Sequence, residues 1–197
     1  MRRFLIFAFL TATALGSAWA LWPRPRPLEL SGTVLKNPRP APEFRLESAS
    51  GPVTLADFRG KVVLVFFGYA HCPDVCPLTL NHLAHLYRQL GEPEQLQVLA
   101  ISIDPERDTP EAMDRYAKMF HPSFVGLSGP PAAIAKVAAG FFVYVRKDET
   151  GYLDHTSTVT LIDPEGRIRA LYGQQLVEEE TAMLRDLRAI LERKGRF

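Results

Sequence analysis

Two short apolar runs constrain the fold of this chain more than any other feature. Residues 61–67 and 96–103 are dominated by apolar and β-branched side chains, and a helical pattern follows each run. Short apolar runs without polar alternation are typical of strands buried on both faces of a sheet. Strand and helix alternate along the chain, which predicts an α/β domain built around a central mixed sheet flanked by helices.

The remaining pattern completes this prediction. Thr109 and Pro110 are typical of the N-cap and first residue of a helix, and we expect that helix to end near Phe120. Further helices are predicted at residues 75–90, 131–139 and 177–193. Further strands are predicted at residues 124–127, 141–145, 159–162 and 168–172, the last two joined as a hairpin by the turn residues Pro164 and Gly166.

The charge balance excludes one class of partner. Lys and Arg total 23 and Asp and Glu total 22, so the formal net charge is +1. Proteins that bind nucleic acid or another acidic polymer as their main partner usually carry a basic excess or a basic run. We therefore expect no nucleic acid partner.

The N-terminal residues differ from the rest of the chain in charge and in apolar content. Residues 1–27 hold four arginines and no acidic residue, and Arg2 and Arg3 precede an apolar run over residues 4–22. A run of about 20 apolar residues is long enough to span a bilayer, so residues 1–22 are predicted as a membrane anchor or signal segment. Residues 23–42 are predicted as a Pro-rich linker, and residues 43–197 as the folded domain.

This N-terminus predicts a location outside the cytoplasm. We expect a single-pass protein of the cytoplasmic (inner) membrane, with Arg2 and Arg3 inside and the domain on the extracytoplasmic side. The alternative is cleavage near Ala20, which would release a soluble periplasmic or secreted protein. In both cases the cysteines face a compartment in which they can be oxidised.

The chain has only two cysteines, Cys72 and Cys76, and both lie where the first buried strand passes into a helix. Residues four apart share one face of a helix, so both sulfurs can point at the same small object. A helix N-terminus favours a thiolate over a thiol. Two interpretations stay open from spacing alone: a redox pair that closes a disulfide, or two thiolates that bind a soft metal ion.

A metal site needs a further ligand, and the chain offers five histidines. His71 is adjacent to Cys72 and is expected to point elsewhere. His82 and His85 are predicted to lie far along the helix from the sulfurs, and His121 at a helix end. His155 lies in a polar loop before a predicted strand and is the best candidate, with Asp154 as a group that could orient its imidazole.

Three sequence motifs together resemble the Sco/SenC/PrrC family. They are residues 68–77 (GYAHCPDVCP), residues 102–110 (SIDPERDTP), and residues 154–156 (DHT) with 161–166 (LIDPEG) downstream. Their order and distances agree with the family over about residues 42–191. The resemblance implies a thioredoxin-like fold tethered outside the cytoplasm.

The same resemblance implies a function and a site. It implies a copper-binding assembly factor that helps to mature the dinuclear copper centre of cytochrome c oxidase, rather than an enzyme. Carried over by position, the metal ligands are Cys72, Cys76 and His155, for one copper ion per chain, as Cu(I) or Cu(II). The implied partners are the copper-accepting subunit of the oxidase and, in addition, another copper carrier or a thiol reductant.

Two enzymatic alternatives use the same cysteines. The first is a thiol–disulfide oxidoreductase with Cys72 and Cys76 as its redox pair. Thioredoxin-type enzymes usually have two residues between their cysteines and a proline in the loop before Val159, whereas this chain has three intervening residues and Thr156 to Thr158 in that loop. The second is a peroxidase of the peroxiredoxin type, for which Arg107 is the candidate partner of the reactive cysteine.

Overall fold

The two apolar runs form neighbouring parallel strands at the centre of a six-stranded sheet. The computed structural model describes residues 28–149 and 153–197. The strands are β1 (Thr33–Pro40), β2 (Arg45–Ser48), β3 (Gly51–Thr54), β4 (Val62–Gly68), β5 (Leu96–Ser102), β6 (Val125–Leu127), β7 (Val145–Lys147), β8 (Leu153–His155), β9 (Thr158–Ile162) and β10 (Arg167–Gly173), and the helices are α1 (Val75–Gln89), α2 (Pro110–Phe120), α3 (Pro131–Gly140), α4 (Gln174–Glu178) and α5 (Thr181–Glu192).

The sheet is mixed, as the sequence predicted. Its strand order is β1-β10-β9-β4-β5-β6. Strands β4, β5 and β6 are parallel, whereas β9 runs antiparallel to β4 and pairs with β10 as a hairpin. Every residue of β4 and β5 is buried, which explains why these runs lack polar alternation.

This topology gathers the segments that carry the three sequence motifs at one edge of the sheet. Parallel strands β4 and β5 both end there, and β9 begins there because it is antiparallel to β4. The predicted helix start is confirmed at the same edge, since the Thr109 hydroxyl accepts a hydrogen bond from the Ala112 N–H and Pro110 is the first helical residue. Loops after β4 and β5 and the segment before β9 are therefore neighbours.

The prediction of a linker over residues 23–42 is wrong for β1. Thr33–Pro40 pairs with β10 as the edge strand of the main sheet, with an irregular register between Val34 and Arg39. An edge strand is bonded on one side, so prolines that lack an N–H are tolerated there. The predicted anchor or signal segment, residues 1–22, lies outside the described residues. Among the helices of the described part of the chain, none combines the length and apolarity that a membrane span requires.

The predicted final helix is in fact two helices. Chain direction changes at Glu179 and Glu180, between α4 and α5, and Glu180 adopts a left-handed backbone conformation with φ of 52°. A non-glycine residue in this region is uncommon. In this position its carboxylate reaches two histidines of α1, so a tertiary contact overrides the local preference for one helix.

The predicted strand over residues 141–145 is also largely wrong. Phe141 is buried against Phe67, and Phe142 has a positive φ of 62°, so the chain turns here instead of extending. Strand β7 begins only at Val145 and pairs with β8 in a separate two-stranded sheet. This small hairpin carries His155 towards the edge where β4 ends.

Candidate metal and redox site

The cysteine turn, residues 69–76, connects the end of β4 to the start of α1. Both cysteines are reduced and buried, with Cys76 0% and Cys72 7% exposed. The turn is closed by a hydrogen bond from the Cys72 N–H to the Tyr69 carbonyl (3.2 Å). The Cys76 N–H points at the Cys72 Sγ over 3.4 Å. The sulfur of Cys72 thus occupies the N-terminal end of α1, where Asp74 provides no side-chain cap.

Gly68 makes room for this arrangement. A Cβ atom at this position would lie 2.7 Å from the Phe66 Cε1 atom and 3.0 Å from the Cys76 Sγ atom. Both distances are shorter than ordinary van der Waals contact, and Phe66 and Cys76 are fully buried. Glycine at the last position of β4 therefore allows the sulfur to approach the sheet closely.

The two thiols share one proton. The pKa of Cys72 is lowered to about 5, chiefly because its sulfur accepts a hydrogen bond from the Cys76 thiol. The N–H groups of Asp74 and Cys76 lower this pKa further, whereas burial of the sulfur raises it. The pKa of Cys76 is raised well above that of an ordinary thiol, because its proton is held by Cys72 and its side chain is buried. At neutral pH the metal-free pair is thus one thiolate and one thiol.

His155 completes the constellation at the end of β8. Its Nε2 atom lies 3.7 Å from the Cys76 Sγ, and its Nδ1 atom lies 3.2 Å from the Thr156 carbonyl oxygen. Since a carbonyl oxygen only accepts, Nδ1 donates this hydrogen bond, and Nε2 is the nitrogen that faces the sulfur. The rings of Phe66 and Tyr69 meet the imidazole edge-on, with centroids 6.2 Å and 6.3 Å away, and fix its plane.

Asp154 does not orient the imidazole, contrary to the hypothesis drawn from its position. Its carboxylate is largely exposed and pairs with Arg146 on β7 at 3.3 Å. Adjacent residues of a strand point to opposite faces, so Asp154 and His155 diverge within β8. The carbonyl of Thr156 takes the role that was expected of the carboxylate.

The structure therefore brings all three candidate ligands to one place, with Cys76 in the middle. Cys72 contacts Cys76 on one side, and His155 contacts it on the other. Within residues 28–149 and 153–197, no three His, Cys, Asp or Glu side chains converge closely enough to hold a metal ion as they stand. The three donors are neighbours, and the raised pKa of Cys76 keeps the proton on its thiol.

The other four histidines have partners elsewhere. His71 faces Asp108, with Nδ1 3.3 Å from Oδ1. His82 and His85 both contact the carboxylate of Glu180, at 2.6 Å and 2.7 Å. His121 is buried at the end of α2, and its ring packs at a tilt against Tyr87 and Phe124. The sequence-based expectation that His82 and His85 lie away from the sulfurs agrees with these contacts.

The second motif braces the cysteine turn, a role that the sequence analysis did not assign. Asp108 is fully buried, and its Oδ2 atom accepts hydrogen bonds from the Ala70 N–H (3.0 Å) and the Ser102 hydroxyl (2.8 Å). Its place in the loop that follows β5 was the available signal, because β4 and β5 end at the same edge. Arg107, the candidate of the peroxidase alternative, pairs with Asp104 and lies over the Tyr69 ring at 5.9 Å.

Comparison with protein families gives one match that covers most of the chain. The family model described as SCO1/SenC matches residues 34–192. Among curated proteins, the bovine mitochondrial protein SCO2 homolog is 35% identical over 193 residues, covering 91% of this chain and 73% of the relative. The match to the human SCO2 homolog covers only 50% of that relative's length.

Solved structures agree in fold. Apo Sco1 from Thermus thermophilus is 45% identical, with a TM-score of 0.74 over 82% of this chain and 97% of that one. ScoI from Bradyrhizobium japonicum, solved with copper bound, is 39% identical, with a TM-score of 0.66 over 75% of this chain and 98% of that one. The thioredoxin-like fold expected from the sequence is thereby confirmed.

Proposed function

This chain belongs to the SCO1/SenC family, and on that premise we propose that it is a copper-binding assembly factor for cytochrome c oxidase. The observation that carries the proposal is the meeting of three donors at one sheet edge. A thiolate, a thiol and the Nε2 atom of an imidazole are neighbours there, on two separate parts of the chain. Copper bound to the ScoI relative supports the same ion for this chain.

The donor set suits copper as a cargo. Thiolates are soft donors that select Cu(I), and imidazole binds copper in either oxidation state. We propose Cys72, Cys76 and His155 as the ligands of one copper ion per chain. Three protein ligands are one fewer than a structural zinc site normally has, which leaves room for a group of the acceptor to bind the ion during transfer.

The protonation states of the two cysteines determine which proton copper binding must release. Cys72 is already a thiolate at neutral pH, whereas Cys76 keeps its proton. Copper has to displace that proton, so binding releases about one proton per ion and weakens as the pH falls. His155 offers Nε2 to the ion, because its other ring nitrogen, Nδ1, is already engaged by the Thr156 carbonyl.

The partner and the location belong to the same proposal. The acceptor is the subunit of cytochrome c oxidase that receives the dinuclear copper centre, and another copper carrier or a thiol reductant acts before it. Residues 1–22 tether the domain to the cytoplasmic membrane on its outer side. Mitochondrial relatives support an association with a membrane system that contains the oxidase.

Copper binding by paired variants tests the ligand set. The full-length protein is purified reduced in mild detergent, and its Cu(I) affinity is measured by competition with a chromogenic chelator. We expect His155→Ala to weaken binding by about a hundredfold, because one of three donors is lost. His85→Ala is the matched control, since it removes an exposed imidazole that contacts Glu180. Equal copper affinity in both variants would show that the proposed trio is wrong.

A second candidate function is thiol–disulfide exchange by Cys72 and Cys76. The observation that favours it is the contact between a thiolate and a thiol, which is the reduced state of an exchange pair. The reduction potential of the pair tests it. A value near or below about −300 mV would mark a disulfide that resists reduction and would exclude rapid exchange.

A further inference from the structure

Asp108 is a buried carboxylate beside the cysteine turn that the proposed ligand set does not use. It is 0% exposed and lies in the loop between β5 and α2. Its Oδ2 atom accepts from the Ala70 N–H and from the Ser102 hydroxyl, and its Oδ1 atom lies 3.3 Å from the His71 Nδ1 atom. Two consecutive residues of the turn, directly before Cys72, thus contact one carboxylate.

Asp108 itself is held by the body of the domain. Its N–H donates to the Asp104 carbonyl (2.9 Å), and its own carbonyl accepts from the Ser128 hydroxyl (2.6 Å). The hydroxyl of Ser102, the last residue of β5, also accepts from the Asp104 N–H at 3.0 Å. These hydrogen bonds fix the backbone of Asp108 relative to the sheet. The carboxylate in turn fixes the position of the cysteine turn relative to the sheet.

Burial of a carboxylate costs free energy, and the hydrogen bonds that offset this cost indicate the role of the carboxylate. A charged group that leaves water requires hydrogen bonds to offset its desolvation. Asp114, on α2, is buried to a similar degree but binds the Gly126 N–H and Lys118, away from the cysteines. Asp108 instead contacts Ala70 and His71, in the segment that ends at Cys72, and links them to Ser102 of β5.

We propose that Asp108 is a positioning residue that holds the Ala70–His71 segment so that the Cys72 sulfur stays against Cys76. The proposal deepens the proposed function, because the same sulfur pair is the suggested copper site. Asp108 acts through the turn and does not contact the ion. Substitution of a group that orients metal ligands commonly weakens metal binding by about 10-fold to 100-fold.

Two matched variants of the full-length protein test this role. Asp108→Asn and Asp114→Asn make the same chemical change at two buried carboxylates. For each, urea unfolding gives the stability, and Cu(II) chloride added to the reduced protein gives the affinity and the thiolate-to-copper charge-transfer absorption. We expect Asp108→Asn to bind copper about tenfold or more weakly, with a shifted absorption band. We expect Asp114→Asn to retain wild-type affinity and absorption despite a lower stability.

One result would overturn the proposal directly. If Asp108→Asn loses stability like Asp114→Asn but keeps wild-type copper affinity and absorption, then Asp108 supports the fold and not the site. If Asp108→Asn does not fold, Ser102→Ala takes its place, since it removes one donor to the carboxylate and leaves the charge. We expect Ser102→Ala to weaken copper binding by about fivefold, and wild-type affinity in that folded variant would also overturn the proposal.

A metal-free measurement separates this proposal from the proposed function. In glutathione buffers, the two thiols form one S–S bond as oxidised glutathione is reduced to two molecules of glutathione, which take up the two protons and two electrons. We expect the equilibrium constant for this oxidation to fall about tenfold in Asp108→Asn, because a loosened turn lowers the effective concentration of one sulfur at the other. An unchanged constant would contradict the positioning role, even if the wild-type protein binds no copper.

Discussion

Two groups of ionisable side chains lie along the same helix, and they differ in what their histidines face. At the start of α1, the Nε2 atom of His155 faces the buried sulfur of Cys76. Two turns further along, the imidazoles of His82 and His85 both face the carboxylate of Glu180, a group we call the histidine clasp. A histidine that already has a carboxylate partner is stabilised where it is, whereas His155 faces a sulfur, with which we propose that it binds copper.

The two groups also differ in burial and in connection. The cysteines are almost completely buried and lie between the end of β4 and the first turn of α1. The clasp is partly exposed and joins α1 to the break between α4 and α5, where Glu180 has its positive φ. We therefore expect substitutions in the first group to change chemistry and substitutions in the clasp to change stability alone.

The largest expected effect is the loss of a sulfur donor. Cys76→Ala should lower the Cu(I) affinity by about a thousandfold or more, which corresponds to roughly 4 kcal/mol, because Cys76 lies between the other two donors. Chelator competition measures the change, and Glu180→Gln provides the comparison, because Glu180 contacts two histidines of α1. Equal copper affinity in Cys76→Ala and Glu180→Gln would show that the cysteine site and the histidine clasp do not differ in their role in copper binding.

The next effect concerns the reactivity of Cys72 in the metal-free protein. Because its pKa is lowered to about 5, its thiolate fraction stays almost constant from about pH 6 to pH 9. An ordinary thiol with a pKa near 8.5 gains roughly two-hundredfold in thiolate over that range. We expect the rate of alkylation of Cys72 by iodoacetamide to be nearly flat across it.

The same measurement on Cys76→Ala tests the cause. That substitution removes the thiol whose hydrogen bond does most to lower the pKa of Cys72. The alkylation rate should then rise with pH like that of an ordinary thiol. A flat profile in Cys76→Ala would assign the lowered pKa to the helix N–H groups instead.

The comparison also shows what could be predicted from the sequence. The central strands and α1 follow from apolar runs, and the candidate ligands follow from two cysteines and one loop histidine, all of them local signals. The roles of Asp108 and Glu180 depend on loops that are distant in the chain and adjacent in space. The β1 strand was missed for a similar reason, since its prolines predict a linker until the edge position is known.

A smaller effect is expected from the carboxylate of the clasp. Glu180→Gln keeps the size of the side chain but removes the charge that two imidazoles share. The free energy of unfolding should fall by about 1 kcal/mol, measured by urea denaturation at neutral pH, and the copper affinity should stay within about twofold of wild type. A large loss of copper affinity would mean that the clasp sets the position of α1 at the cysteine turn.

The smallest effects should separate the two imidazoles of the clasp. His82 and His85 lie at nearly equal distances from the Glu180 carboxylate, but their side chains are 22% and 58% exposed. Water screens the more exposed pair, so His85→Ala should cost less than about 0.5 kcal/mol of unfolding free energy. His82→Ala should cost about 1 kcal/mol, because it also leaves a half-buried carboxylate oxygen without a partner. Equal losses would show that the hydrogen-bond distance, and not burial, determines the energy of this contact.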